Sequence, residues 1–148
     1  QPGARESVKP EALWEHDSAA SLSFSQFMQA SQARGAFHDR MLALLERFDV
    51  LALPSAQVWA FDIRERWPRE IAGRSMDTYH RWMEVTLYAT FAGLPAMSVP
   101  AGFDPGGRLP MGLQLIGKPR GETELLQLGA IYEQLMGDVI RRRPPDLT

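Results

Sequence analysis

The sequence contains no cysteine, which excludes disulfides, thiolate nucleophiles and cysteine-based zinc sites. It is also poor in lysine. Lys9 and Lys118 are the only two, against fourteen arginines. The arginines are spread along the chain and only Arg141-Arg142-Arg143 cluster, so the bias reads as genome base composition rather than repeated anion recognition. Neither sign of charge is in excess. Sixteen Lys+Arg stand against 18 Asp+Glu, a formal net charge of −2, which leaves no basic field for a nucleic acid. Long hydrophobic runs are lacking too. The stretch 48–61 is interrupted by Asp49, Pro54, Ser55 and Gln57, well short of the roughly 20 apolar residues of a membrane span. The start at Gln1-Pro2-Gly3-Ala4-Arg5 shows no initiator Met and no secretory pattern. It is expected to be the middle of a longer chain.

What is present is an ordinary globular composition: 148 residues, 45% apolar and 23% charged, enough for one domain and too apolar for disorder. Residues 8–20 predict a short helix, with Pro10 at a favourable early position. Ser23 is suited to cap the next one. Over 24–48, Phe24, Phe27, Met28, Phe37, Met41, Leu44, Leu45 and Phe48 form one apolar stripe at helical spacing. Asp49-Val50-Leu51-Ala52-Leu53 is apolar on both faces and reads as a buried parallel strand ending at Pro54. The connection 54–73 is long, as in segments that wrap or line something. Asp77 is expected to cap a helix that Gly93 closes, and its apolar residues cover nearly the whole circumference, which predicts burial on all sides. Strands follow at 96–100 and 111–117, joined by Asp104-Pro105-Gly106-Gly107 as a hairpin turn. The last helix, 122–136, buries Leu125, Leu128, Ile131, Tyr132, Leu135 and Met136. The strand at Val50, the helix from Asp77 and the strand at Met97 make a crossover with parallel outer strands. The fold class is therefore α/β, with a mixed sheet packed by helices. The expected divisions are 1–22 as an N-terminal helix and linker, 23–140 as the α/β portion and 141–148 as a polar, solvated tail.

Chemistry is harder to find. The histidines are His16, His38 and His80. His16-Asp17 and His38-Asp39 are adjacent pairs that point apart on a helix, and both read as solvated faces. No metal ligand set or cofactor motif emerges. No serine lies in a nucleophile elbow, and Ser98, between Met97 and Val99, reads as a small core residue. Asp62, Glu65 and Glu70 read as loop charges. The glycines at 102, 106 and 107 lie between two strands rather than before a helix, so they are not a phosphate loop.

One succession is more specific. Thr90-Phe91-Ala92-Gly93-Leu94-Pro95-Ala96-Met97-Ser98-Val99-Pro100-Ala101-Gly102-Phe103 precedes Leu109-Pro110-Met111-Gly112-Leu113-Gln114-Leu115-Ile116-Gly117, and Gly121-Glu122-Thr123-Glu124-Leu125-Leu126 follows. With Phe48-Asp49-Val50-Leu51-Ala52-Leu53-Pro54 upstream, the set resembles the C-terminal region of the amidase signature family. The resemblance runs over about 8–132. It implies the amidase signature fold and a parent protein that hydrolyses carboxamides with a Ser nucleophile, a bridging Ser and a Lys base. The sequence has no Ser-Ser pair, its one Gly-Gly pair is followed by Arg108, and neither lysine lies near such a stretch. No catalytic residue is carried over.

The resemblance therefore implies a C-terminal fragment, inactive alone, whose partners are an amide substrate and the missing N-terminal part. By the same analogy His80, Met83 and Leu87 line the substrate pocket, with Trp59 and Phe61 as further lining residues. Ordinary core packing is the other reading of these positions. A fragment is expected to expose an apolar face, and so to form a homo-oligomer. No nucleic acid, membrane, metal or cofactor is expected, and the lack of cysteine fits a cytoplasmic protein, here taken as bacterial. Two alternatives stay open. One is a non-catalytic α/β binding module on the same scaffold. The other is part of the A component of a tRNA-dependent amidotransferase.

Overall fold

The computed structural model describes residues 4–142. They form two compact units, one running to Ala36 and the other from Phe37.

In the first unit a 3-10 turn (Ala4–Ser7) precedes α1 (Pro10–Ala19). Pro10 sits in the first turn, where its missing N–H costs no hydrogen bond. α2 (Phe24–Leu45) starts on a reciprocal cap. Ser23 Oγ accepts from the Gln26 N–H at 3.2 Å, and Gln26 Oε1 accepts from the Ser23 N–H at 2.9 Å. The helix crosses the boundary between the units. Its predicted stripe is only partly buried: Met41 and Leu45 are inside, whereas Phe24, Phe27, Met28 and Leu44 are exposed, as is Phe48 beyond its end.

The second unit is built on three strands, β1 (Leu51–Pro54), β4 (Ala96–Phe103) and β5 (Pro110–Ile116), in the order β1-β5-β4. β5 pairs antiparallel with both neighbours, aligning Leu53, Gln114 and Ser98 across the sheet. β1 and β4 thus run in the same direction, as the crossover requires. The hairpin strand lies between them, so the described pairings are antiparallel rather than mixed, and β1 is an edge. Ser98 is correspondingly exposed and not a core residue, because β4 is the other edge strand. Pro54 and Pro100 fit these edges, where a missing N–H breaks no ladder. A bulge between Pro100 and Gly102 bends β4, with Gly102 at φ 138°.

Side chains alternate along β5. Ile116 joins Met41, Leu45, Ala89, Ala92 and Leu94 on one face, and Leu115 joins Val99 and Leu125 on the other. The sheet is therefore covered on both sides, by the end of α2 with α4 (Glu84–Ala92) and by α5 (Glu122–Leu135). The Tyr132 hydroxyl donates to the Pro100 carbonyl at 2.7 Å and ties α5 to the bulge. Of the stripe expected on α5, Leu125 is buried, but Ile131 and Leu135 are exposed, as is Leu126. A short α6 (Gly137–Arg141) follows.

His38 is not a solvated residue. Its Nδ1 donates to the Ala92 carbonyl at 2.7 Å, one of the carbonyls left without a partner at the end of α4. Arg142, at the start of the expected tail, is exposed but held by contacts. It donates to the Gly107 carbonyl, and its guanidinium lies 3.9 Å from the centre of the Phe103 ring. Residues 143–148 of the expected tail lie outside the described residues.

Candidate functional site

The long connection after β1 folds back on itself. β2 (Glu70–Ile71) and β3 (Arg74–Ser75) form a two-residue-loop hairpin, with Ala72 and Gly73 at φ 51° and 77°. The Met76 N–H donates to the Arg69 carbonyl at 2.8 Å, and Trp67 Nε1 donates to the Met76 carbonyl at 3.1 Å. This brings Trp67 beside α3 (Tyr79–Trp82).

The helix predicted from Asp77 to Gly93 is in fact two. α3 ends at Trp82, α4 begins at Glu84, and Met83 is the joint. The cap is Thr78, whose Oγ1 accepts from the Arg81 N–H at 3.2 Å. Asp77 is instead drawn to the Arg81 guanidinium, whose hydrogen bond holds its carboxyl below the ordinary range. Gly93 closes α4 in the left-handed conformation, φ 64°. Burial on all sides is not observed. Ala89 and Ala92 are buried, Phe91 is exposed, and the other α4 residues before Ala89 are half-buried.

Rings gather around α3. Tyr79 meets Trp67 and Trp82 edge-on at 5.8 and 6.0 Å, and Phe61 meets Trp82 edge-on at 5.6 Å. His80 lies edge-on to Tyr79 at 6.2 Å. The Trp82 indole N–H is buried and meets no acceptor among the described residues. Arg69 lies 4.4 Å from the centre of the Trp67 ring. On α4, Tyr88 faces Glu84 at 3.4 Å, and burial, followed by the Glu84 charge, raises its hydroxyl pKa.

Of the five residues named from the sequence, His80, Met83 and Leu87 are half-buried along this broken segment, one on α3, one at the joint and one on α4. They do not share one face of a continuous helix. Phe61 is brought to the shelf through Trp82. Trp59, 38% exposed, joins no ring of it among the described residues. Three hollows of the second unit are lined by other residues. One of them, about 440 Å³ and mainly apolar, runs along β1 beside Phe37, Met41, Phe48 and Tyr88. Among the described residues no three acidic or histidine side chains gather as a metal site, and no helix is long and apolar enough to cross a membrane.

Two residues of this region were not singled out from the sequence. Gln57 Nε2 donates to the Arg81 carbonyl at 2.9 Å and also to that of Trp82. Gln114 Nε2 donates to the Val85 carbonyl at 2.7 Å. Gln114 carried a usable signal, since it is the one amide in the apolar run of β5 and is 8% exposed. Gln57 carried none.

Residues 3–126 match the family model described as Amidase. The chloroplastic/mitochondrial glutamyl-tRNA(Gln) amidotransferase A component of Oryza sativa subsp. indica is 38% identical over 112 residues, covering 74% of this chain and 20% of its own length. The corresponding glutamyl-tRNA(Gln) amidotransferase component of Desulforudis audaxviator is 38% identical over 120 residues, covering 81% of this chain and 23% of its own. Among solved structures, a bacterial aryl acylamidase of the amidase signature family superposes with a TM-score of 0.76 at 28% identity, over 97% of this chain and 31% of that protein. The chain thus spans about a fifth of the length of the curated relatives it matches. The order of helix end, edge strand and hairpin, and the match along most of the sequence, lead to one assignment: this chain belongs to the amidase signature family.

Proposed function

We propose that this chain is the C-terminal portion of an amidase, supplying sheet and one wall of the substrate pocket to a parent that hydrolyses a carboxamide C–N bond. The observation that carries the reading is a disparity of coverage. The aryl acylamidase fold accounts for 97% of this chain, while the chain accounts for 31% of that enzyme. The sequence adds that no Ser-Ser pair is present and that Lys9 and Lys118 are the only lysines.

In this reading the remainder of the parent supplies a serine that attacks the amide carbon. Backbone donors hold the oxyanion, the amine leaves, and water releases the acyl group as a carboxylate. This chain contributes no reacting atom. His80, Met83 and Leu87, with Phe61 and Trp59, present apolar and aromatic surface that binds the non-reacting part of the substrate and excludes water. Such contacts act on KM and on orientation. A cytoplasmic, bacterial setting belongs to the same proposal. The missing part of the parent is the first partner of this chain, and a second copy through its exposed apolar side chains is another.

The tRNA-dependent amidotransferase reading is the second, favoured by the 38% identity to proteins of that name. The test compares the parent polypeptide with the isolated 148 residues on p-nitroacetanilide and on simple primary carboxamides. Hydrolysis by the parent and none by the isolated chain is expected. Hydrolysis by the isolated chain contradicts the proposal. Nitrogen transfer to glutamyl-tRNA(Gln) without anilide hydrolysis selects the second reading.

A further inference from the structure

The joint at Met83 is not explained by a helix-breaking residue. Met83-Glu84-Val85 contains neither glycine nor proline, and nothing in these residue types breaks a helix. The hydrogen bonds show what interrupts it. In an uninterrupted helix the Thr86 N–H would donate to the Trp82 carbonyl, four residues back. It donates instead to the Met83 carbonyl at 2.9 Å, and the Thr86 hydroxyl donates to the same oxygen at 2.8 Å. The Trp82 carbonyl is thereby left to Gln57, whose amide also takes the Arg81 carbonyl. One NH2 group has two hydrogens, so it satisfies both. Beyond the joint, Gln114 takes the Val85 carbonyl in the first turn of α4. Gln114 lies on β5, the central strand, and Gln57 lies three residues after the end of β1. Two amides anchored at the sheet therefore grip the segment on either side of its joint. Gln114 is buried and Gln57 half-buried, and a buried amide that loses its acceptor costs more than the bond contributes, so the grips select one position of the segment.

We infer that Gln57 and Gln114 are positioning residues, which fix the broken helix 79–92 on the sheet and so set where His80, Met83 and Leu87 stand. This rests on the pocket-wall reading above for its consequence, but not for its geometry. Neither glutamine touches a reacting atom in that reading.

The test uses the parent polypeptide with three variants. Gln57→Leu removes the donor, Gln57→Lys keeps a nitrogen donor on a charged side chain one bond longer, and Gln114→Met removes the second grip. Amide hydrogen exchange over 79–92 is read against 96–116 as an internal reference for folding. Exchange over 79–92 is expected to be roughly tenfold faster in Gln57→Leu and Gln114→Met and close to native in Gln57→Lys, with 96–116 unchanged. On p-nitroacetanilide, KM is expected to rise about fivefold with kcat within about twofold, the pattern of lost uniform binding, and Gln57→Lys is expected to restore it. Native exchange over 79–92 in Gln57→Leu and Gln114→Met overturns the inference. Faster exchange there without a change in KM keeps the grip and overturns the pocket wall. If Gln57→Leu does not fold, Gln114→Met decides by the same readouts. If the native parent does not turn the anilide over, exchange alone decides the grip.

Discussion

Gly121 and Gly129 show how differently two glycines in one helical region are constrained. A Cβ at Gly121 would lie 2.8 Å from the Lys118 carbonyl oxygen, a backbone atom of the turn that leads into α5. A Cβ at Gly129 would meet the sulfur and terminal methyl of Met97 at 2.8 and 2.7 Å, the far end of a flexible side chain. Gly121→Ala is therefore expected to destabilise the chain by about 1–3 kcal/mol. Gly129→Ala is expected to be near neutral, because a gain of about 1 kcal/mol in helix propensity offsets the displaced methionine. Denaturant midpoints of the two variants check the order, and equal losses would contradict it. Asp104 carries the pH dependence at this scale. The N–H groups of Leu109 and Arg108, then that of Gly106, hold its carboxyl below the ordinary range. A group with a depressed folded pKa stabilises above its unfolded pKa, and the contribution is lost as pH falls through the folded value. Asp104→Asn should thus lower stability near neutral pH and show a shallower loss from about pH 4 downward. Parallel acid-denaturation curves for the two proteins would contradict this.

At the scale of elements, features with local causes were legible in the sequence. Pro10, the Ser23 cap, the left-handed Gly93 and the turn at Asp104 all appear where residue chemistry places them. The cap also sets an expected outcome. Ser23→Ala should cost about 1 kcal/mol, read as lost helicity and faster exchange in the first turn of α2, and native exchange there would contradict the cap. Features with distant causes were not legible. The joint at Met83 depends on Gln57 and Gln114, 26 and 31 residues away in sequence. The crossover rule gave the direction of β1 and β4 but not their neighbours, so the hairpin strand between them was missed. Asp77 and Thr78 are both good caps, and only the position of the Arg81 guanidinium decides between them. The candidate site was legible in the same uneven way. Of the five residues named, His80, Met83 and Leu87 lie along one segment while Trp59 and Phe61 lie in the connection after β1, and a single helical face could not be read for a helix that breaks.

At the scale of the whole molecule, apolar side chains stand on the outside of elements whose other side is packed. On α5, Leu126 and Leu135 are 67% and 79% exposed while Leu125 is buried against the sheet. β1 adds an apolar edge whose outer backbone groups have no strand partner among the described residues, a template for further pairing. The isolated chain is expected to associate with itself as concentration rises. Sedimentation velocity checks this, with Leu126→Lys/Leu135→Glu expected to weaken the association. A strict monomer across the concentration series would contradict the exposed-interface account.

The central claim is that this chain forms a wall of an amidase and holds none of its nucleophile. The most direct measurement is mass spectrometry of the native gene product after treatment with a serine-directed acylating probe, with the adduct located by digestion. The account predicts a product well above 16.6 kDa, with the adduct on a serine outside these 148 residues. An adduct on a serine within them, or a native product of that mass that takes no probe, would contradict it.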